Sequence, residues 1–425
     1  MNTSMDTSFN IILQSYFTEQ YTNNLNSIIQ QLIQTNSIKL GNFTLKSGQI
    51  SKYYYDMKNI ISYPSLLSSI GELLYNNIIN SGIKFDMICA LPLGGLPICS
   101  YISFKYNIPM IVLRDNTKQY GTKSQIDGTI IGEKCLIIDD VITSGLSINN
   151  AIIALKDKLN VVGTAVIFDR QQNPDLSIPI ISAINKTEVT RYNLNRIINT
   201  KKSKICFAAD CFDNINSFSS LIVSIAPYIS ICKIHWDIIK NKLCNDTQQI
   251  KIVKNFLINT SLEYDFLLME DRKFIDITSV VKQQYTEFSN WIDLITTHSL
   301  VSSQTIQSLS GVVIVANMSN TFYSSSSIDF SKRAEQLSQE TPRNIIAFVS
   351  QIPIKSHFLL MTPGISLPDI NKQPIDKYDQ NYIDPISNPN LIFTDIYIIG
   401  RYIYNNWDTL GDNHTIIKHL LSLSI

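Results

Sequence analysis

Short apolar runs alternate with helix-length segments through the first part of the chain, from Gly41 to about Ile181. The runs are Met87 to Leu91, Met110 to Leu113, Cys135 to Ile138 and Val161 to Phe168. Alternation of this kind is typical of strands and helices that follow one another in an α/β domain. The pattern therefore predicts a parallel sheet with flanking helices.

A second series of apolar runs begins after a polar and basic stretch, Asn185 to Lys204, that carries no strand signal. The eight runs are Ile205 to Ala209, Ile229 to Lys233, Phe266 to Glu270, Trp291 to Thr296, Val312 to Ala316, Ile345 to Val349, Phe358 to Met361 and Asp395 to Ile399. Eight strands separated by helix-length segments predict a (β/α)8 TIM barrel.

Polar side chains follow the runs of this second series closely. They are Asp210, His235, Asp271, His298, Ser319, Thr362 and Arg401. The carboxyl ends of the strands form the active-site face of such barrels, so these positions predict a functional site.

The length of 425 residues favours two domains. We place their boundary in the polar stretch and predict domains at 1–190 and 191–425. Residues 1–36 form a polar, Asn- and Gln-rich arm that runs into a helix, and they show no chemical motif.

Composition narrows the class of protein. Lys plus Arg and Asp plus Glu number 35 each, so no surface tuned to nucleic acid or anionic membrane is expected. The N-terminal residues lack the pattern of a signal peptide, and no segment approaches the roughly 18 apolar residues of a membrane span. Seven cysteines without a CxxC pair indicate reduced thiols and no structural zinc. A cytoplasmic location is expected.

The segment from Cys135 to Gly145 is the most specific in the chain. An apolar strand delivers two adjacent carboxylates, Asp139 and Asp140, and a turn of small residues then opens a helix. The turn residues are Thr143, Ser144 and Gly145. Such a turn offers N–H groups and hydroxyls to a phosphate, while the carboxylates can hold ribose hydroxyls or influence a metal. A plain capped helix is the alternative, but capping needs only one acceptor.

This segment resembles the phosphoribosyl-pyrophosphate (PRPP) signature of type I phosphoribosyltransferases, and its surroundings resemble the orotate phosphoribosyltransferases. Gly41 to Gly48 is similar to that family's N-terminal motif, which implies that Lys46 reaches PRPP. The resemblance also implies that Tyr54 and Tyr55 flank the orotate ring. It implies Mg2+ accompanying PRPP, without direct protein ligands.

Two further segments extend this resemblance. Arg114, Lys118, Tyr120 and Gly121 resemble the mobile catalytic loop, which implies that Lys118 stabilises charge on the departing pyrophosphate across a dimer interface. The segment Phe168-Asp-Arg-Gln-Gln resembles the orotate-binding strand end, which implies that Arg170 faces the substrate carboxylate.

The second chemical motif is Glu270-Asp-Arg-Lys-Phe-Ile-Asp276. The period of a strand puts Asp271 and Lys273 on one side, and Asp276 follows after the chain turns. A lysine between carboxylates stays protonated, because each negative neighbour favours its charged form. Such a site can repel a substrate carboxylate and hand a proton to the carbon left behind.

Asp-x-Lys-x-x-Asp resembles the signature of orotidine 5'-phosphate decarboxylases, a family that needs no cofactor. The resemblance implies that Asp276 serves the neighbouring subunit's site and that Lys233 completes an alternating array, with His235 nearby. It implies that Asp210 holds the ribose hydroxyls and that Ser319 contacts the pyrimidine. The implied phosphate grip consists of Gln380, Tyr382, the Gly400 amide and Arg401.

Some residues differ from the family pattern in each half of the chain. Asp115 stands where a second loop lysine is usual, and Asn173 and Pro174 stand where glycines are usual. In the second half the departures are Ala208, Val280, Asn317 and Tyr402, which replace a serine, a threonine, a glutamate and a glycine. None of them alters the charges of the second motif.

Together the motifs imply a fused arrangement resembling the bifunctional UMP synthases. Orotate and PRPP would give orotidine 5'-phosphate and pyrophosphate, and decarboxylation would then give UMP, in a homodimer or higher homo-oligomer. Three alternatives stay open: only the decarboxylase half is active, the chain is a nucleotide-binding scaffold with relict sites, or the transferase uses another base. Taken singly, His235 could be a structural histidine and Lys233 a surface lysine.

Overall fold

A computed structural model describes most of the chain. The described residues are 19–44, 48, 50–114, 125–172, 174–210, 212, 214–318, 330–366, 382–384, 391 and 393–406. They form two compact units. The first unit contains the described residues within 1–39 and 53–189, and the second contains those within 40–52 and 190–425.

The first unit is built on a six-stranded sheet with the order β5-β4-β3-β6-β7-β8, parallel except for the antiparallel pair β4 and β5. The first eight strands of the chain are β1 Ile38–Thr44, β2 Ile50–Tyr55, β3 Met87–Ala90, β4 Met110–Leu113, β5 Ile126–Asp127, β6 Lys134–Ile142, β7 Asn160–Asp169 and β8 Ile180–Asn185. The helices up to this point are α1 Glu19–Gln34, α2 Pro64–Asn80, α3 Gly95–Tyr106 and α4 Leu146–Leu155, with a 3-10 helix at Met57–Ser62. Strands β1 and β2 form a separate two-stranded sheet. The predicted α/β domain with a parallel sheet is confirmed.

Strand β6 is longer than its apolar run. It continues to Ile142, because Val141 and Ile142 pair with the end of β7. Asp139 and Asp140 therefore lie within the strand, whereas the sequence pattern placed them after it. Hydrogen bonding to a neighbouring strand overrode the local polarity.

The polar stretch after residue 185 is mostly helical. Helix α5, Lys186–Lys201, starts with a capping box: the Glu188 N–H donates to Asn185 Oδ1 at 3.0 Å, and the Asn185 N–H donates to Glu188 Oε2 at 2.9 Å. Reciprocal bonds of this kind satisfy two amides that a helix start leaves without partners. The transition from the first unit to the second falls within this helix, between Val189 and Thr190.

The second unit contains a closed barrel of eight parallel strands, which confirms the predicted (β/α)8 fold. Its strands are β9 Ile205–Ala208, β10 Ile231–Ile234, β11 Leu267–Phe274, β12 Leu294–His298, β13 Val312–Val315, β14 Ile345–Val349, β15 Leu359–Thr362 and β16 Ile396–Ile399. Its remaining helices are α6 Ile215–Ile225, α7 Trp236–Leu243, α8 Thr247–Glu263, α9 Thr278–Tyr285, α10 Ser303–Gln307, α11 Phe330–Glu340 and α12 Arg401–Asn406, with a 3-10 helix at Ala226–Tyr228.

The barrel has two layers of apolar packing. Cys206, Met269 and Met361 belong to one buried cluster, to which α5 contributes Leu194 and Ile197. A larger cluster contains Phe207, Leu268 and Phe348 from the strands together with Phe218 and Leu257 from the surrounding helices. Because all eight strands are parallel, their carboxyl ends, and the polar residues there, lie on one face of the barrel.

Across the part of the chain that the structure describes, every helix is too short or too polar to cross a membrane.

Candidate active sites

Charged side chains from three neighbouring strand ends meet at the carboxyl face of the barrel. Lys233 Nζ lies 3.1 and 3.2 Å from the two oxygens of Asp210 and 2.7 Å from Asp271 Oδ2. Lys273 Nζ lies 2.9 Å from the same oxygen of Asp271. The structure thus brings together four of the residues named from the sequence, and Asp271 lies between two ammonium groups.

The charges of this cluster stabilise one another. Burial opposes the charge of Lys233, which is 5% exposed, but Asp271 and Asp210 raise its pKa far above the usual range. Burial also opposes the charge of Asp271, but Lys233, Lys273 and His235 hold the pKa of that carboxyl well below its usual range. Both groups are therefore ionised at neutral pH, and the interpretation of Lys233 as a surface lysine is excluded.

Thr296 fixes two residues of the second motif, Asp271 and Lys273, and no sequence pattern identified it. Its hydroxyl donates to Asp271 Oδ1 at 2.9 Å and accepts the N–H of Lys273 at 2.8 Å. Lys273 has a left-handed backbone (φ 52°), and β11 changes register against β12 between Glu270 and Phe274. A threonine at the end of a predicted strand carries no signal of this role, because it is compatible with a buried strand.

His235 is the residue before α7, and its ring faces the same cluster. Its Nε2 lies 3.5 Å from Asp271 Oδ2 and 3.7 Å from Asp210 Oδ1. Burial and the nearby Lys233 lower the pKa of the imidazole. His235 is therefore neutral at physiological pH and is able to exchange hydrogen bonds with a ligand.

Asp276 lies apart from the cluster. Its Oδ1 accepts the N–H of Ile277 at 2.7 Å, and within the described part of the chain it makes no ion pair with Lys233 or Lys273. The flanking Ile275 and Ile277 are both exposed.

The expected phosphate end of the barrel is partly described. The Arg401 guanidinium lies 5.5 Å from the centre of the Tyr382 ring, and Gly400 precedes α12. A Cβ atom at Gly400 would come within 3.1 Å of the Ala208 carbonyl oxygen. Ser319 and Gln380 lie outside the described residues.

Asp139, the first of the two adjacent carboxyls in β6 of the first unit, has a raised pKa. Asp139 is 9% exposed, and burial together with repulsion from Asp140 raises its pKa to about 7. The Asp140 N–H donates to Asp139 Oδ1 at 2.8 Å, and the Val141 N–H donates to Asp140 Oδ1 at 2.8 Å. Two adjacent carboxyls that repel each other favour a ligand that is positively charged or donates hydrogen bonds.

Two glycine turns flank this strand end. Thr143 and Ser144 lead to Gly145, which has φ 75° and precedes α4. On the other side α3 begins at Gly95, and a Cβ at Gly94 would lie 2.1 Å from the Asp140 carboxyl carbon. This second turn was not predicted, although two adjacent glycines a few residues after a buried strand were a visible signal.

Aromatic and cationic side chains meet at the expected orotate end. The Tyr55 ring stacks on Phe168 at 4.1 Å between ring centres, and the Arg170 guanidinium lies 5.5 Å from the Tyr55 centre. Burial lowers the pKa of Arg170. Tyr54 is exposed, with Lys39 Nζ 5.7 Å from its ring, so the structure does not bring Tyr54 together with Arg170.

Gln171 anchors the turn that follows Arg170, and it too was missed. It has a left-handed backbone (φ 52°), and its N–H donates to Asp169 Oδ1 at 2.7 Å. Its buried side-chain oxygen accepts the N–H and the hydroxyl of Thr187 at 2.9 and 2.7 Å. A glutamine in a left-handed turn has no signature in local polarity.

The expected catalytic loop is mostly undescribed. Arg114 forms an ion pair with Asp127, in which both side chains are partly exposed. Lys46, Asp115, Lys118, Tyr120 and Gly121 lie outside the described residues. Among the residues that are described, no group of three or more His, Cys, Asp or Glu side chains is placed to hold a metal ion.

Comparisons with known proteins cover both units. The phosphoribosyl transferase domain model matches residues 56–190, and the model of the orotidine 5'-phosphate decarboxylase / HUMPS family matches residues 203–411. The uridine 5'-monophosphate synthase of Bos taurus is 28% identical and aligns over 89% of this chain and 93% of its own. That of Naegleria gruberi is 26% identical over 89% and 92%. An orotate phosphoribosyltransferase of Sulfurisphaera tokodaii is 33% identical over 39% of this chain and 88% of its own. The chain therefore belongs to the uridine 5'-monophosphate synthase family, with its phosphoribosyltransferase unit first and its decarboxylase-family barrel second.

Proposed function

We propose that this chain makes UMP in two steps, joining orotate to PRPP and then decarboxylating the orotidine 5'-phosphate that results. One observation carries the proposal most directly: Asp271 is held between Lys233 and Lys273 at the catalytic face of the barrel. The double carboxylate of Asp139 and Asp140 supports the first step on the same chain. Both steps use small-molecule substrates, and the balanced net charge gives no reason to add nucleic acid or membrane partners.

The barrel site decarboxylates without a cofactor. Asp271, ionised at neutral pH, repels the substrate carboxylate, and this repulsion is relieved as CO2 leaves. The bond between the ring carbon and the carboxylate breaks, and its electron pair stays on the ring carbon. Lys273 stabilises this charge and donates a proton to that carbon, and water then restores the lysine proton.

The remaining barrel residues bind the nucleotide in this proposal. Asp210 and Lys233, already paired in the structure, hold the ribose hydroxyls with His235 nearby. Ser319 contacts the pyrimidine. The phosphate is gripped by Gln380, Tyr382, the Gly400 amide and Arg401, and the closeness of Arg401 to Tyr382 supports this grouping.

In the first unit, a ring nitrogen of orotate attacks C1' of PRPP, the bond from C1' to the pyrophosphate oxygen breaks, and the proton of the ring nitrogen passes to the departing pyrophosphate or to water. Asp139 and Asp140 hold the ribose hydroxyls, while the turn from Thr143 to Gly145 binds the 5'-phosphate with backbone N–H groups. Arg170 pairs with the orotate carboxylate, and Tyr55 flanks the orotate ring beside it. Tyr54 is also assigned to flank this ring, on family resemblance alone. Lys46, Arg114, Lys118 and Tyr120 bind the pyrophosphate, with Lys118 as the catalytic group.

Mg2+ would accompany PRPP and neutralise charge on the leaving pyrophosphate. The raised pKa of Asp139 fits this assignment, because a nearby cation would relieve the repulsion between the two carboxyls. Contact through PRPP hydroxyls or water is expected, without direct protein ligation.

We also propose a homodimer or higher homo-oligomer in the cytoplasm. Asp276 is exposed between two exposed isoleucines and makes no ion pair with the two lysines of the cluster in the described part of its own chain. We therefore assign it to the site of the neighbouring subunit. In return, Asp276 of the partner subunit would complete the site of this chain. The alternation Lys233, Asp271, Lys273 and Asp276 is complete only in such an assembly.

The test supplies the purified chain with orotate, PRPP and Mg2+, and separately with orotidine 5'-phosphate. Loss of orotate and release of CO2 are followed independently. Both activities are expected. CO2 release alone would favour a chain with an inactive transferase, an alternative motivated by Asp115, and Asp115→Lys should then restore orotate consumption.

Absence of both activities would favour a nucleotide-binding scaffold, the alternative motivated by Ala208, Val280 and Asn317. Tight binding of a UMP analogue without turnover would support that alternative. A base other than orotate consumed with PRPP would contradict the assignment of the first step.

A further inference from the structure

Glu270 is a buried acid next to the catalytic Asp271, and the proposed mechanism does not use it. Its side chain is 0% exposed. One carboxyl oxygen, Oε2, accepts the backbone N–H of Trp236 at 2.9 Å. The other, Oε1, has no hydrogen-bond partner among the described residues. A buried carboxyl with half its bonding capacity unused costs stability, so a packing role alone does not explain it.

The bond to Trp236 continues a strand pairing beyond its end. Strands β10 and β11 pair in parallel up to Ile234 and Glu270, which are register partners. His235 comes next, and Trp236 is the first residue of α7. The Glu270 side chain therefore ties β11 to the chain on the far side of His235. His235 is held between the strand pairing before it and this side-chain bond after it.

The same tie connects the two strands that carry the reacting charges. Lys233 precedes His235 by two residues, and Asp271 follows Glu270 directly. The distances of 2.7 Å from Lys233 to Asp271 and 3.5 Å from His235 to Asp271 both depend on how these two strand ends are aligned. Catalytic groups lose activity when they are displaced by about 1 Å, so a tie at this point affects turnover.

Glu270 is suited to a bond that does not require its charge. Burial raises its pKa to about 8, against the hydrogen bond from Trp236, while Asp237 and Asp271 add repulsion that Arg272 opposes. The neutral carboxyl therefore predominates at neutral pH. A neutral acceptor beside Asp271 holds the backbone without adding a second negative charge to the site.

We propose that Glu270 is a positioning residue of the decarboxylase, which holds the Trp236 amide and thereby aligns His235 and Asp271 with Lys233. This inference rests on the proposed decarboxylation by the barrel. It concerns alignment alone, since among the described residues Glu270 makes no ion pair with Lys233 or Lys273 and no contact with the nucleotide is assigned to it.

The test compares Glu270→Gln, which keeps an acceptor of the same shape, with Glu270→Met, which removes the acceptor at similar length. We expect Glu270→Gln to keep kcat for CO2 release within about 3-fold and Glu270→Met to lower it about 10-fold or more, with a smaller change in KM. Orotate consumption by the same chains is the internal control and should stay unchanged. A residue with only a structural role would change the melting temperature but leave kcat of the folded enzyme as it was.

Glu287→Met is the matched control. Glu287 accepts the indole N–H of Trp236 at 2.9 Å, so it contacts the same residue but not its backbone. Its replacement should leave kcat unchanged, and a loss equal to that of Glu270→Met would overturn the inference. Wild-type turnover by Glu270→Met would also overturn it.

Glu270→Asp covers the case in which the methionine variant does not fold. The shorter side chain does not reach the Trp236 amide, so kcat should fall, and an unchanged kcat would overturn the inference. Absence of CO2 release by the wild-type chain would refute the proposed decarboxylation itself, which is a separate result.

Discussion

The hydroxyl of Thr296 donates to Asp271 Oδ1 at 2.9 Å, on the side of the carboxylate opposite the two lysines that contact Oδ2. This bond prevents rotation of the carboxylate away from the substrate position. Thr296→Val keeps the shape of the side chain but leaves the carboxylate oxygen and the Lys273 N–H without this partner. We expect kcat for decarboxylation to fall about 10-fold, the equivalent of one hydrogen bond to a charged group.

The control for this prediction is the neighbouring Thr297, whose hydroxyl donates to the Phe274 carbonyl at 2.9 Å. Thr297→Val removes a hydroxyl from the same strand without touching Asp271. Steady-state CO2 release from both variants gives the comparison. Equal rates for the two variants would show that Thr296 does not orient the carboxylate.

Lys273 is the assigned proton donor, and its removal should affect chemistry far more than binding. Lys273→Met is expected to lower kcat by at least about 100-fold, the lower range for a lost general acid, while UMP still binds. Single-turnover CO2 release and a UMP titration measure the two effects. The exposed Lys282 of α9 provides the control, since Lys282→Met should leave both unchanged. A Lys273→Met variant with wild-type turnover would remove Lys273 from the mechanism.

The barrel was predictable because its strands are short apolar runs at regular spacing, and each run from Ile205 onward overlaps a strand of the closed sheet. The charged residues of the site were predictable because they end or closely follow apolar runs, and the carboxyl ends of barrel strands form the active-site face. Thr296 was not predictable in this way, since a threonine is compatible with a buried strand and its role depends on the bulge in β11 beside it. Local patterns identify which residues are charged, but not which neutral residue orients them.

Residues 40–52 show a second limit of sequence analysis. They precede the transferase strands in the chain, yet they belong to the second unit. Lys52 is buried there, with its Nζ 2.7 Å from Asp293 Oδ2. The pairing joins residues far apart in sequence, and no local pattern of polarity indicates it. The domain limits 1–190 and 191–425 stay a prediction that takes no account of this segment.

The raised pKa of Asp139 predicts a pH dependence of stability in the first unit. The folded carboxyl has a pKa of about 7 against an ordinary value of 3.8, so the folded state holds its proton more tightly than the unfolded state. The contribution of Asp139 to the free energy of unfolding is fully present below the pKa of the unfolded state. It is lost as the pH rises towards about 7, by at most about 1.4 kcal/mol per pH unit. Asp139→Asn should be less sensitive to pH across this window.

Loss of transferase activity in urea, measured after incubation at pH 5, 6 and 7, reports on the first unit without contribution from the barrel. The wild-type midpoint should fall with rising pH, and that of the asparagine variant should fall less. Because Asp139→Asn also removes a ligand-binding carboxylate, residual activity is normalised to each variant's own value without urea. A wild-type midpoint that rises over this range would contradict the prediction.

Gln171 should affect orotate binding through Arg170, the residue before it. Its left-handed backbone is held by two bonds from Thr187 to the side-chain oxygen, and the chain turns there directly after the guanidinium that lies beside Tyr55. Gln171→Leu keeps the bulk but cannot accept these bonds, so two buried donors of Thr187 lose their partner. We expect KM for orotate to rise about 10-fold, while KM for PRPP and the rate of decarboxylation stay near wild type.

Initial-rate measurements with each substrate varied in turn separate these effects, because a general loosening of the first unit would raise both KM values together. An equal rise for PRPP would therefore show that Gln171 stabilises the unit as a whole and does not act specifically at the orotate end of the site.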